Sequence, residues 1–392
     1  MSALSIWAAR ALLPAGEAAR VRVRCAGGRI EAVEEGVEPR SGDVRHENAL
    51  LAPGLVDLQV NGGDGAAYDA ADAAARRRAT DFHMRAGTTS LLATLVSAPL
   101  DHLESALARL LGDVSPAGPV VGLHLEGPFL VEAKRGAHAA APLCDPTPGR
   151  VGALLDVAQG ALRMVTLAPE REGALEATER FARAGAVVAA GHSRATLAEV
   201  RAAVERGLSF VTHVGNASDW PARVLDPALG RRVSEPNLVG AFLVEKRLRG
   251  SVILDGHHLH PELARALVEL RGPDAVALVS DATPAAGLPP GRYKLGGLDA
   301  EIREGGLATT GEGLAGSAVT LLDTVRVGVR QAGLSLATAL RMASAVPAAV
   351  LGLEARKGRI AAGADADLLA LGPDVALRAV YRAGEPVAAK PG

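Results

Sequence analysis

Four residues able to bind a metal or move a proton stand at the ends of short apolar runs. Glu126 ends Val120–Glu126, His192 ends Val187–His192, His213 ends Phe210–His213 and Asp281 ends Ala275–Asp281. One carboxylate oxygen and two imidazole nitrogens form a common ligand set for catalytic zinc, with a fourth position left to water. Such a metal lowers the pKa of water and polarises a carbonyl group. A further carboxylate, here Asp281, can take that water's proton and pass it to a leaving amine. A lone histidine at such a place is commonly a hydrogen-bonded core residue, and a lone aspartate a turn or cap. Three candidate ligands on three run ends favour a site. His124 precedes Glu126 by two residues and shares its face of the strand; we read it as a packing or supporting residue.

The elements that would carry these residues follow from the hydrophobic pattern. Eight runs read as strands: Gly54–Val60, Thr89–Val96, Val120–Glu126, Val165–Leu167, Val187–His192, Phe210–His213, Ser251–Leu254 and Ala275–Asp281. They are nearly continuous in apolar residues, as strands covered on both faces should be. Helical segments separate most of them. Ala73–Arg85 stops near Gly87, Thr196 and Glu199 form a capping box before Leu197–Arg206, Pro261 opens Glu262–Leu270, and Ser335 caps Leu336–Ala343. The alternation predicts an α/β fold, a (β/α)8 TIM-type barrel at residues 53–352 with its chemistry at the strand C-termini. Residues 1–52 and 353–392 read as short strands and turns, including Ala3–Ala9, Val21–Cys25, Arg29–Val33, Gly358–Ile360, Ala366–Ala370 and Val375–Tyr381. Both ends are expected to build one small β-sandwich domain.

Composition narrows the class. With 42 basic and 44 acidic residues, nothing argues for nucleic-acid binding. Cys25 and Cys144 fit no paired metal or redox spacing. No apolar stretch reaches the length of a bilayer span, and the start of the chain lacks a signal-peptide pattern. A soluble cytoplasmic protein without membrane or nucleic-acid partners is expected. In the first strand, Gln59 and Asn61 stand where a His-x-His pair would supply a second metal site. Neutral amides are poor zinc ligands, so one metal is expected.

These motifs together resemble the N-acetylglucosamine-6-phosphate deacetylase family of the amidohydrolase superfamily. The segments that carry the resemblance are Ala52–Gly62, Gly122–Phe129, Gly136–His138, Leu167–Glu170, Gly191–Ser193, Thr212–His213 with Asn216–Ala217, Asp255–His258, Ser280–Thr283 and Leu314–Ser317. They run in family order along most of the chain. The resemblance implies that Glu126, His192 and His213 hold one divalent ion, zinc being expected and ferrous iron the alternative. It makes Asp281 the general base and then the acid, and gives His138 a share in polarising the acetyl carbonyl. Ala137, His138, Asn216, Ala217, His258 and the loop Leu314, Ala315, Gly316, Ser317 would hold the small-molecule amino-sugar substrate. A tetrahedral intermediate would then release acetate and a free amine. The resemblance also implies a homodimer, with His258 serving the neighbouring subunit.

One segment departs from the family. Ser234 stands where the family carries an arginine that contacts the sugar phosphate, and the loop from Ser218 to Val233 is longer than usual. Arg223, Arg231 and Arg232 are candidates for the missing cation, since serine cannot replace a guanidinium's charge. Gly215 and Ser218 also replace residues common in the family. Deacetylation of N-acetylglucosamine 6-phosphate is the leading reading, and an unphosphorylated or otherwise modified N-acyl amino sugar is the second. A hydrolase of cyclic amides or N-acyl amino acids on the same fold, and a non-catalytic sugar binder, complete the set.

Overall fold

The computed structural model describes residues 4–226, 230–295, 298–303, 307–310 and 313–388. Eight parallel strands form its centre, neighbours following chain order: Leu55–Val60, Thr88–Val96, Val120–Glu126, Leu162–Leu167, Val187–Ala190, Leu208–Val211, Arg249–Ile253 and Val276–Val279. Their apolar runs are explained by burial on both faces. Val56, Leu58, Leu92, Met164 and Phe210 pack inside the barrel. Leu91, Leu95, Leu123, Leu125 and Val165, at alternate positions, join the larger core. The two sets separate by the period-two geometry of a strand.

The first and eighth strands close the ring. Val60 bridges Ala282 in parallel fashion, and the backbone N–H groups of Asn61 and Gly62 donate to Ala282 O at 2.8 and 3.1 Å. Deeper in the seam, Ser280 N donates to the buried Asp57 carboxylate at 3.2 Å. Burial pushes the Asp57 carboxyl up to about 7. The expected helices appear as Ala73–Arg85, Leu197–Val204, Pro261–Arg271 and Leu336–Met342. The reciprocal hydrogen bonds of the Thr196–Glu199 capping box are present, and Ser335 caps its helix by accepting from Thr338 N.

Both chain ends meet in one seven-stranded sheet, in the order Glu385–Pro386, Leu377–Arg382, Leu368–Leu371, Val44–Pro53, Leu4–Leu13, Gly16–Ala26, Arg29–Glu34. Ile6, Val21, Val23, Leu51, Leu368 and Tyr381 share its core. The strand expected at Gly358–Ile360 is not one. Gly358 has φ +68, and a Cβ there would lie 2.4 Å from Ser344 O, so the chain turns tightly beneath the preceding helix. Ile360 still reaches the core of the sheet.

Further β elements sit at the barrel's C-terminal end, among them the short pair Gly62–Gly63 and Ala66–Ala67 after the first strand. Ala222–Asp226 and Arg231–Glu235 form an antiparallel ribbon. Gly291–Leu295, Leu298–Arg303, Leu307–Thr310 and Gly313–Ser317 form a four-stranded antiparallel sheet between the eighth barrel strand and the helix Leu321–Arg330. Among the described residues no helix is long and apolar enough to cross a membrane.

Candidate active site

Glu126 is the last residue of its strand, whereas His192, His213 and Asp281 each lie two residues beyond theirs. The strands end early because the chain turns. His192, His213 and Asp281 have φ of 51°, 31° and 48°, in the left-handed region that non-glycine residues rarely occupy. Such conformations persist only where surrounding contacts hold them, and they concentrate at functional sites. Here the turns are pinned: Ser251 Oγ accepts from His213 N at 2.9 Å, and Ser317 N donates to Asp281 O at 3.0 Å.

The turns bring the ligand types together. His192 Nε2 lies 3.1 Å from His213 Nε2, and the two nitrogens lie 3.2 and 2.9 Å from Glu126 Oε1. All three side chains are buried. A tetrahedral ion with arms of about 2.0–2.1 Å spaces its ligands roughly 3.3 Å apart, so this triangle fits one. The tautomer of His192 fits as well. His192 Nδ1 lies 2.9 Å from Lys134 O and must donate to that carbonyl, which leaves a lone pair on Nε2 facing the cluster. A backbone carbonyl holding the far nitrogen of a ligand imidazole is the usual outer support of a metal site.

Charge is arranged consistently. Burial pushes the Glu126 carboxyl up, but hydrogen bonding with His138, His192 and His213 outweighs it and holds it well below the usual range. Burial pushes His192 down to about 4. For Asp281, burial and then the Glu126 charge push the carboxyl up to about 6.

His138 comes from the loop after the third strand. Ser97 N donates to His138 Nδ1 at 3.2 Å, and Ser97 Oγ lies 2.9 Å from the same nitrogen. Because Nδ1 accepts from a backbone N–H, the neutral ring carries its proton on Nε2. That nitrogen faces the cluster, 3.5 Å from Glu126 Oε2.

The amides of the first strand take a part that sequence reasoning missed. Gln59 Nε2 donates to both Glu126 Oε1 and Asp281 Oδ1, at 2.8 and 3.0 Å. Asn61 Nδ2 donates to the same Asp281 oxygen at 2.8 Å. Val56 and Leu58 face the barrel interior, so simple alternation would turn Gln59 away from it; the pairing with the second strand shifts register between Asp57 and Val60, an irregularity that residue spacing does not signal. His124 is a supporting residue as expected: buried, pushed down to about 4 by desolvation, with Nε2 2.9 Å from Thr166 Oγ1.

The other expected residues fall around this centre to differing degrees. Asn216 and Ala217 lie in the turn after His213; Ser193 N donates to Ala217 O, and a Cβ on Gly136 would touch both His192 and Ala217. Ala137 follows in that same strap. His258 Nδ1 lies 2.7 Å from Asp255 Oδ2, on the loop after the seventh strand. Gly316 and Ser317 abut the Asp281 turn, a Cβ on Gly316 meeting Asp281 O at 3.1 Å. The side chains of Leu314 and Ala315 lie outside the described residues; their backbone belongs to the strand Gly313–Ser317. Arg223, Arg231 and Arg232 are exposed on the ribbon Ala222–Glu235. Ser234 stands directly across that ribbon from Arg223. The guanidinium groups of Arg223 and Arg232 each donate to the other residue's carbonyl at 3.3 Å.

The model of the amidohydrolase family matches residues 50–387, and that of the N-terminal domain of formimidoylglutamate deiminase matches residues 3–47. An N-acetylgalactosamine-6-phosphate deacetylase of Escherichia coli O157:H7 is 34% identical, over 93% of this chain and 94% of its own length. An N-acetylglucosamine-6-phosphate deacetylase of Danio rerio is 35% identical, over 87% and 85%. The structure of a point mutant of the Mycobacterium smegmatis N-acetyl-D-glucosamine-6-phosphate deacetylase in complex with N-acetyl-D-glucosamine-6-phosphate superimposes with a TM-score of 0.90. It is 36% identical, over 99% of this chain and 100% of that one.

Proposed function

This chain belongs to the amidohydrolase family, and on that premise we propose that it hydrolyses the acetamide of N-acetylglucosamine 6-phosphate to acetate and glucosamine 6-phosphate. The observation that carries the reading is the buried Glu126–His192–His213 triangle, flanked on one side by an N–H of His138 and on another by the Asp281 carboxylate. The names of all three relatives support an N-acetyl amino sugar 6-phosphate, and two of them name the glucosamine form. Glu126, His192 and His213 would hold one divalent ion, zinc on our reading, which supplies Lewis acidity toward the acyl oxygen and acidity to water.

The chain's own groups then have separable tasks. His138 Nε2–H donates to the acyl oxygen as negative charge builds there, a preorganised donor of the kind that stabilises tetrahedral intermediates. Asp281 takes one proton of the attacking water and returns it to the amine nitrogen, so that the C–N bond breaks to give a neutral amine and acetic acid, which releases its own proton to solvent as acetate. Gln59 and Asn61 hold Asp281 Oδ1, which fixes the carboxylate's orientation and leaves Oδ2 for proton transfer. Asn216, Ala217, His258 and the strand ending at Ser317 bind the sugar on our reading, and Arg223, Arg231 and Arg232 are our candidates for the phosphate cation. Glu126→Gln tests the site: the account expects bound metal and acetate release to be lost together, and full activity in that variant would end it.

A further inference from the structure

At the barrel mouth, Val96 is an apolar side chain that the assignments above leave without a task. Val96 is the last residue of the second strand, and it is 44% exposed at the end of a run whose other residues are all buried. Its direction follows from parity. Leu92, four residues earlier, packs inside the barrel. Thr94, two residues earlier, faces the interior too, where its hydroxyl accepts from Val60 N at 3.0 Å and lies near His124. Val96 therefore points inward as well, above them, into the open cleft. Its Cα pairs in parallel register with Glu126, and the next residue, Ser97, holds the His138 ring.

We propose that Val96 is the wall that selects the acyl group; the inference rests on the deacetylase reading above and names what that site accepts. The angular order of the strands carries it. A planar amide carbon has three substituents to place. Its oxygen lies toward His138 and the Glu126 triangle, over the third strand. Its nitrogen lies toward Asp281, over the eighth strand, with the sugar beyond. Between the eighth and the third around the ring come only the first and second strands. The first presents Gln59 and Asn61, both engaged with the carboxylates. The second presents Val96. The acyl methyl is thus set against a branched, apolar and rigid side chain. Such a wall accepts acetyl, crowds a longer acyl chain, and gives a hydroxyl no partner.

The test measures kcat/KM for the N-acetyl, N-propionyl and N-glycolyl derivatives of glucosamine 6-phosphate, with the wild-type holoenzyme and with Val96→Ala and Val96→Thr. Ratios between substrates on one preparation cancel any loss of folded enzyme. One methylene in an apolar pocket is worth at least about tenfold in discrimination, so Val96→Ala is expected to raise the propionyl/acetyl ratio about tenfold. Val96→Thr keeps the shape and adds a hydroxyl, and is expected to raise the glycolyl/acetyl ratio by roughly the same factor without relieving the propionyl crowding. Substrate ratios that stay at wild-type values in both variants overturn the proposal, including the case where KM for the acetyl substrate changes alone, which would put Val96 against the sugar. If the wild type does not release acetate at all, it is the deacetylase reading that fails.

Discussion

His83 supplies a quantitative check on how the fold holds the first strand's exit. It lies on the helix Ala73–Arg85, fully buried, and its Nε2–H donates to Gly62 O at 2.8 Å, directly after Asn61. Packing is close there, a Cβ on Gly63 meeting His83 Nε2 at 2.9 Å. Burial pushes the imidazole from 6.5 down to about 4. A group whose folded pKa is depressed favours the folded state above its unfolded pKa, and that advantage drains away as pH falls toward the folded value. Between pH 7 and pH 5 the unfolded chain takes up a proton that the folded chain refuses, which costs about 2 kcal/mol of stability at pH 5. Below pH 4 the loss levels off at about 3 kcal/mol, since each tenfold drop in proton affinity is worth about 1.4 kcal/mol. His83→Gln keeps a donor for Gly62 O and does not titrate. Urea unfolding of both proteins should therefore show the wild type losing about 2 kcal/mol more than the variant between pH 7 and pH 5. Parallel pH profiles for the two would refute the reasoning.

Three further outcomes are expected. Asp281→Asn should fold and keep its metal, with kcat down by roughly 10²–10⁴; metal content and turnover measured on one preparation check this. His138→Gln should lower kcat by about 10²–10³ while metal content stays unchanged, and equal loss of metal would make His138 a ligand instead. Phe181 is fully buried between its helix and the barrel core, packed near Phe129. Phe181→Ala should cost about 3–5 kcal/mol of unfolding free energy.

The barrel is legible in the sequence because its strands are apolar on both faces and stop at residues that do not belong in a core. Val120–Glu126 matches the run read from the sequence at both ends. The apolar pattern makes His192, His213 and Asp281 the last strand residues, yet each sits in a left-handed turn past the ladder. Periodicity carries no signal for a positive φ at a histidine or aspartate, because tertiary contacts impose it. Residue type alone marks Gln59 and Asn61 only as poor metal ligands; their role as donors to two carboxylates depends on partners 67 and 222 residues away for Gln59 and 220 for Asn61. The strand Val44–Pro53 is hidden in the sequence because its first half is charged and mostly exposed, so that only Ala49 to Pro53 look like a strand interior. The ribbon Ala222–Glu235 and the sheet Gly291–Ser317 are hidden for a related reason. Short, glycine-punctuated and polar, they resemble loops until their cross-strand partners are known.

The most direct test of the central claim is release of acetate and free amine from N-acetylglucosamine 6-phosphate, alongside unphosphorylated N-acetylglucosamine, before and after chelation and with zinc restored. The account predicts turnover of the phosphorylated sugar that chelation abolishes and zinc returns. Unchanged turnover in the chelated enzyme, or none on the phosphorylated sugar with metal bound, would contradict it.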